Sequence, residues 1–292
     1  MTTMHIGLDK VGQWTQETVY VVDPAHTMAY ASATNDDHPW HAQGMLAPPL
    51  FAVVPVGEHI ARALEGLVAE DDRRWGLHAA QDVVLHSPIV PGRTIVTRAA
   101  PVGVYPRPLG TEVLIKAETR AADGGLLVEQ YVTLLFRRKF SGPGRGESAP
   151  DHRAAPDVKA AAKAAGRLIT VTDVIDPDQT TRYAAASGDR NPIHLDEEFA
   201  RSVGLPGIIV HGMCTMAFAG RAVIGTVCGN DPRRLRRLAV RFARPVLPGQ
   251  AITTYLWAAG VRGSHAAHAF ETVNPAGKAV LVDGLAEVAP AS

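Results

Sequence analysis

Apolar and polar residues alternate through four consecutive stretches in the first half of the chain, about 77–87, 94–104, 111–121 and 126–138. The same happens in the second half, about 235–245, 251–261, 264–274 and 278–288. A period of two is the mark of half-buried strands, and the turns Asp123-Gly124-Gly125 and Asn274-Pro275-Ala276-Gly277 predict antiparallel hairpins between them. Ahead of each set the pattern predicts a short strand (about 17–22; about 168–174) and a helix with one apolar side (about 24–33; about 177–187). A second, apolar helix follows (about 50–65; about 212–225). The later of these lies in the segment LPGIIVHGMCTMAFAGRAVIG, which is nearly apolar all round and so belongs inside the protein. Strands grouped after helices indicate α+β rather than α/β. A long helix wrapped by a curved antiparallel sheet is a hotdog, and two copies predict a double hotdog.

The copies are visible in the letters themselves. Residues 83–95, VVLHSPIVPGRTI, match residues 240–252, VRFARPVLPGQAI, and residues 30–41, YASATNDDHPWH, match residues 183–194, YAAASGDRNPIH. Tyr30, Asp36, Pro39 and His41 thus correspond to Tyr183, Asp189, Pro192 and His194. Two matches in the same order at similar spacing indicate a tandem duplication. Between the copies, residues 141–166 are rich in Gly, Pro, Ala and charge without hydrophobic period, the composition of a connection. Within it VKAAAKAAG favours a short helix. The expected organisation is a domain over 1–140, a linker over 141–166 and a domain over 167–292.

Composition narrows the function classes. Hydrophobic residues make up 46% and charged residues 20% of 292, as in a soluble globular protein. Lys+Arg and Asp+Glu balance at 29 each, which argues against a nucleic-acid surface or a polybasic membrane patch. The only cysteines, Cys214 and Cys228, form no CxxC, so neither a disulfide framework nor a zinc knuckle is expected and a reducing cytoplasm fits. No apolar run reaches the roughly 18 residues of a membrane span, and Met1 to Trp14 lacks a signal-peptide core.

Candidate chemistry concentrates in Ser187-Gly188-Asp189-Arg190-Asn191-Pro192-Ile193-His194. Gly188 suits a left-handed helix cap and Pro192 prevents the helix from resuming, so Asp189 and His194 sit on a short, twice-pinned loop. A carboxylate and an imidazole so held can position and deprotonate a water molecule or deliver a proton. Alternatively, the Asp is a cap and the His a turn residue. Downstream, Leu205-Pro206-Gly207-Ile208-Ile209-Val210-His211-Gly212-Met213 leads into the apolar helix, whose first amides would stabilise negative charge on a carbonyl oxygen. Gly212 either lets a ligand approach the backbone or eases packing against the sheet.

These residues resemble the MaoC-like, (R)-specific enoyl-CoA hydratase (hydratase 2) and 3-hydroxyacyl-thioester dehydratase family in its two-domain form. The resemblance is strong over 167–288 and weaker over 10–140, where Ala47-Pro48-Pro49-Leu50-Phe51 resembles the degenerate partner domain. It implies reversible hydration of a trans-2-enoyl thioester to the (3R)-3-hydroxyacyl thioester in fatty-acid metabolism, by a hydro-lyase. Asp189 and His194 match the catalytic pair, and Gly212 matches the backbone donor to the thioester oxygen. Asn191 is expected to shape the loop, and His211 to be packed and backbone-bonded beside the donor, both lining the substrate. The substrate carrier is coenzyme A or an acyl carrier protein; no separate cofactor, metal, nucleic acid or membrane partner is implied. The assembly is a monomer of two hotdogs or a homodimer. Rival readings are an acyl-CoA thioesterase and a non-catalytic acyl-thioester binding protein. A dinucleotide enzyme is disfavoured because no G-x-G-x-x-G follows a strand.

Asp36 and His41 keep the spacing of the pair, but Ser-Gly becomes Thr34-Asn35, Asn191 becomes His38, and His211-Gly212-Met213 becomes Val53-Val54-Pro55. Pro55 has no N–H and Val54 bars close approach, so this copy is expected to have lost the reaction and to house the acyl chain beside a bent apolar helix. The arginines at 233, 234, 236, 237, 241 and 244 suit carrier phosphates or a solvated strand edge equally, and Cys214 reads as a small core residue.

Overall fold

The computed structural model describes residues 4–73, 75–154 and 156–291, in two compact units. The first comprises Met1–Val21, Pro55–Ser87 and Arg93–Asp151. Its sheet is antiparallel, built from β1 (Thr18–Val21), β2 (Gly76–Leu85), β3 (Thr94–Arg107), β4 (Gly110–Ala121) and β5 (Leu126–Phe136) in the order β1-β3-β4-β5-β2. A two-residue strand, β6 (Arg145–Gly146), pairs with β3. The inward-facing residues Val104, Val113, Ile115, Val132 and Phe136 pack with Val56 and Ala63, so the Gly57–Ala63 helix closes this core. At the β4–β5 hairpin Gly124 takes a positive φ and the Asp123 carboxylate accepts from the Gly125 amide, the turn chemistry the sequence called for.

The second unit comprises Val22–Val54, Pro88–Gly92 and His152–Ser292. Here β7 (Ile169–Val174), β8 (Leu235–Phe242), β9 (Ala251–Arg262), β10 (His265–Val273) and β11 (Ala279–Val288) form an antiparallel sheet in the order β8-β11-β10-β9-β7. The Gly212–Thr226 helix packs on β7, β8 and β9 and buries ten of its fifteen residues, which explains why its sequence lacks a polar face. No helix among the described residues is long and apolar enough to cross a membrane.

The duplication is written into individual hydrogen bonds of this unit. Gly92 and Gly249 both stand at φ 81°, and their amides donate to Val22 O and Ile175 O at 2.7 and 3.0 Å. The compact units, however, do not follow the two halves of the sequence. Residues 22–54 fold with the later half because the Pro24–Ala33 helix packs on the Gln179–Ser187 helix. His26 Nε2 donates to Ala186 O at 2.7 Å, Gln179 Nε2 to Ala33 O, and the Tyr30 and Tyr183 hydroxyls meet at 3.3 Å.

That tyrosine pair is directional. Tyr30 donates to Leu50 O at 3.0 Å, so the Tyr183 hydroxyl must donate to Tyr30. Tyr30→Phe removes the acceptor of a buried hydroxyl and should cost about 1–3 kcal/mol, whereas Tyr183→Phe leaves the Leu50 bond intact and should cost less. Urea midpoints of the two variants test this ordering.

One expectation needs correction. The continuous apolar helix over about 50–65 is instead a 3-10 segment, Pro49–Val53, followed by a turn and then Gly57–Ala63. Pro55 lies at the break, where its ring and missing N–H interrupt the helical ladder. Within the 141–166 connection the outcome is the expected one. Its expected helix forms over Pro156–Ala164, and Lys159 ties it down through an ion pair with Glu271 and a position 5.6 Å over the Trp257 ring.

Candidate active site

The Ser187–His194 loop is built by side chains capping their own backbone. Gly188, at φ 79°, ends the Gln179–Ser187 helix with its N–H on Ala184 O. Ser187 Oγ accepts from Asp189 N at 3.2 Å, Asp189 Oδ1 from Asn191 N at 3.1 Å, and Asn191 Oδ1 from Ile193 N at 3.3 Å. Asn191 thereby caps the Pro192–His194 turn, and its oxygen is spent on loop shape. This succession explains why Ser, Asp and Asn stand at alternate positions.

The loop delivers His194 to a buried place beside an exposed Asp189. His194 Nδ1 lies 2.7 Å from Ile209 O; a carbonyl only accepts, so Nδ1 carries the proton and Nε2 is the open lone pair. Burial holds the His194 pKa below its ordinary value, with the Ile209 carbonyl and Asp189 acting in the opposite direction. The imidazole is therefore kept in its proton-accepting form.

His211 completes the group. It is 1% exposed, caps the Gly212–Thr226 helix, and stacks on His194 with ring centroids 3.7 Å apart at 26°. Its Nε2 donates to Asp189 O at 3.0 Å, so it fastens the loop while bracing the His194 ring, with Tyr183 at 4.8 Å. The remaining nitrogen, Nδ1, is buried without a partner. Burial and the adjacent His194 push the His211 pKa down to about 4. One side-chain N or O atom from each of Asp189, His194 and His211 falls within a mutual 4.8 Å. Three such donors fit a metal ion by residue type. Near-parallel stacked rings, however, send their lone pairs along side-by-side planes rather than to one point, an arrangement better matched to hydrogen bonding of a small molecule.

Gly212 opens the long helix next to His211, so the helix's unpaired first amides border the Asp189–His194 pair. A Cβ at Gly212 would meet Phe242 Cε1 and Cδ1 at 3.0 and 3.1 Å. The glycine thus admits the Phe242 ring, the packing alternative raised by the sequence, and keeps the helix tip bare of a side chain.

In the first copy the loop is rebuilt with different letters. Asn35, at φ 51°, stands where Gly188 does. Asp36 Oδ1 accepts from His38 N at 3.1 Å, and His38 Nδ1 replaces Asn191 Oδ1 as acceptor from the turn amide, here Trp40 N at 3.3 Å. The imidazole, however, points elsewhere: His41 Nδ1 donates to Asp36 Oδ2 at 2.8 Å, whereas His194 donates to a main-chain carbonyl.

Among the arginines, those at 233, 237 and 241 pair with Asp231, Glu287 and Asp283, while 234 and 244 bond main-chain carbonyls. Cys214 and Cys228 are both buried and free. Cys214 is a core residue, its thiol pushed far up by burial.

Residues 158–279 match the model of the MaoC like domain family. A probable enoyl-CoA hydratase 2 of Dictyostelium discoideum is 28% identical over 72% of this chain and 70% of its own length. The 3-hydroxyacyl-thioester dehydratase Y of Mycobacterium tuberculosis is 33% identical over 62% of this chain; this chain spans 61% of it. In three dimensions a MaoC-like dehydratase of Phytophthora capsici superposes with a TM-score of 0.80 at 21% identity, covering 98% of both chains. A Mycobacterium tuberculosis protein described as a double hotdog superposes at 0.61 with 15% identity, covering 97% of both. This chain has the double hotdog fold, and its residues 158–279 are similar to the MaoC like domain.

Proposed function

We propose that the protein is a hydro-lyase that reversibly adds water to a trans-2-enoyl thioester, giving the (3R)-3-hydroxyacyl thioester. The observation that carries this reading is the convergence of Asp189, His194 and His211 at the amide end of the Gly212–Thr226 helix. Asp189 and the His194 Nε2 lone pair hold a water molecule between them, take a proton from it as its oxygen bonds to the β-carbon, and return a proton to the α-carbon. Negative charge develops on the thioester oxygen as the enolate forms, and the Gly212 amide meets it there, where it lowers the barrier more than the ground state. His211 and Asn191 keep the pair in register, the first by stacking and a hydrogen bond to Asp189 O, the second by capping the turn. The relatives named for hydration and dehydration of such thioesters support the substrate class.

The chemistry assigned to these residues calls on no cofactor; coenzyme A or an acyl carrier protein enters as part of the substrate. The catalytic role falls to the domain over 167–292. Cytoplasmic residence belongs to the same reading and rests on the two buried free thiols.

The test is a spectrophotometric assay with enoyl-CoA thioesters of graded length, beginning with crotonyl-CoA, and chiral analysis of the product. Loss of the enoyl absorbance with (3R)-hydroxyacyl product is the expected result. Release of free thiol without hydration would make the protein a thioesterase and overturn the reading.

A further inference from the structure

The site loop carries a charge that neither its shape nor the proposed chemistry uses. Between Asp189 and Asn191 stands Arg190, and all three are exposed, so the loop forms an outer wall of the site. Both neighbours are pinned. The Asp189 carbonyl accepts from His211 Nε2 at 3.0 Å, and the Asn191 amide donates to Asp189 Oδ1 at 3.1 Å. The Arg190 side chain therefore starts from a fixed point beside Asp189. Its guanidinium forms no hydrogen bond or ion pair with any described residue, not even with the adjoining Asp189 carboxylate.

The arginines that flank it in sequence are engaged. Arg182 binds Asp176 and Asp178, and Arg201 binds Glu197. In the cluster over 233–244, which suited carrier phosphates by sequence, the arginines at 233, 237 and 241 are paired with Asp231, Glu287 and Asp283. A guanidinium offers five N–H donors in a fork that fits a phosphate, and a carboxylate partner spends both its charge and its fork. At the hydration site, Arg190 has spent neither.

What this charge meets follows from the substrate, and so rests on the hydro-lyase reading. With the enoyl group at Asp189 and His194, the pantetheine arm leaves past the exposed loop. That arm ends in phosphate whether the carrier is coenzyme A or an acyl carrier protein. We infer that Arg190 is a substrate-binding residue that meets a phosphate of the carrier, so that phosphate-bearing enoyl thioesters are preferred over simple ones. The pair lies in water, so salt screens it and its contribution to affinity is modest. The phosphate takes no part in the bond changes, and Arg190 holds it equally in the ground and transition states. Its effect therefore falls on KM and not on kcat.

Steady-state hydration of crotonyl-CoA, crotonyl-4′-phosphopantetheine and crotonyl-pantetheine tests it. In Arg190→Met the ratio of kcat/KM for crotonyl-CoA to that for crotonyl-pantetheine should fall about fivefold, the upper end for an exposed ion pair, with the loss in KM. Arg190→Lys, which keeps the charge but not the fork, should lie between. The wild-type preference for crotonyl-CoA should itself shrink as salt is raised. A matching loss with crotonyl-4′-phosphopantetheine puts the contact at the phosphate that coenzyme A and acyl carrier proteins share. A loss confined to crotonyl-CoA puts it at the phosphates that coenzyme A alone carries. A ratio unchanged in Arg190→Met, or a loss that lies in kcat, makes Arg190 a solvated surface charge and overturns the inference while the hydratase reading stands. A wild type that hydrates none of the three overturns that reading, and this inference with it.

Discussion

Asp189→Asn and His194→Ala should each lower kcat for crotonyl-CoA hydration by roughly 10²–10⁴, the size of a general acid–base contribution. The Michaelis constant should change little, because neither side chain is asked to hold the thioester in its ground state. Asparagine preserves the Asp189 cap, since its carbonyl oxygen still accepts from the Asn191 amide, so the loss reads chemistry rather than loop collapse. His194→Ala removes the open Nε2 but also the bond to Ile209 O, so its thermal midpoint belongs in the comparison. In the wild type, His194 must be neutral to accept a proton. Because burial holds its pKa below 6.5, the acid limb of kcat/KM should fall below that pH rather than at it. Turnover by either variant within a few-fold of wild type would remove the pair from the mechanism.

Local chemistry made much of this architecture readable. The strands announce themselves by alternation, and the site loop by Gly188, Pro192 and the spaced Ser, Asp and Asn, each acting within two or three residues of itself. Pro55 foretells the break after Val54 on the same local grounds, although the apolar run around it suggests one helix. What depends on distant partners was not readable. His194 and His41 share a spacing and a preceding proline, yet one imidazole turns to Ile209 O and the other to its own Asp36. Only the fold decides which carbonyl is near. Residues 22–54 likewise carry the first-copy motif but pack on the later helix, through contacts spanning some 150 positions of sequence such as Tyr30 with Tyr183.

Acidification should destabilise the protein through His211, and the sign follows from which state takes the proton. In the folded chain the His211 pKa is about 4, against 6.5 for an ordinary histidine. As the pH drops below 6.5 the unfolded chain binds a proton that the folded chain refuses, so unfolding is progressively favoured. The loss accumulates between pH 6.5 and about 4, then levels off once both states are protonated. At 1.36 kcal/mol per pKa unit, the shift corresponds to about 3 kcal/mol across that window, a large part of a typical domain's stability. His194, also lowered by burial, acts in the same direction and remains in both proteins to be compared. Urea midpoints of wild type and His211→Gln, measured from pH 7.5 to 4, separate the two contributions. The glutamine variant is expected to start lower, having lost the stack on His194, but to decline less steeply with acid because the reluctant group is gone. Carboxylates elsewhere titrate alike in both proteins and cancel in the difference. Parallel declines would mean that His211 is as easily protonated in the folded chain as in the unfolded one, and that its neutral, loop-fastening role is wrong.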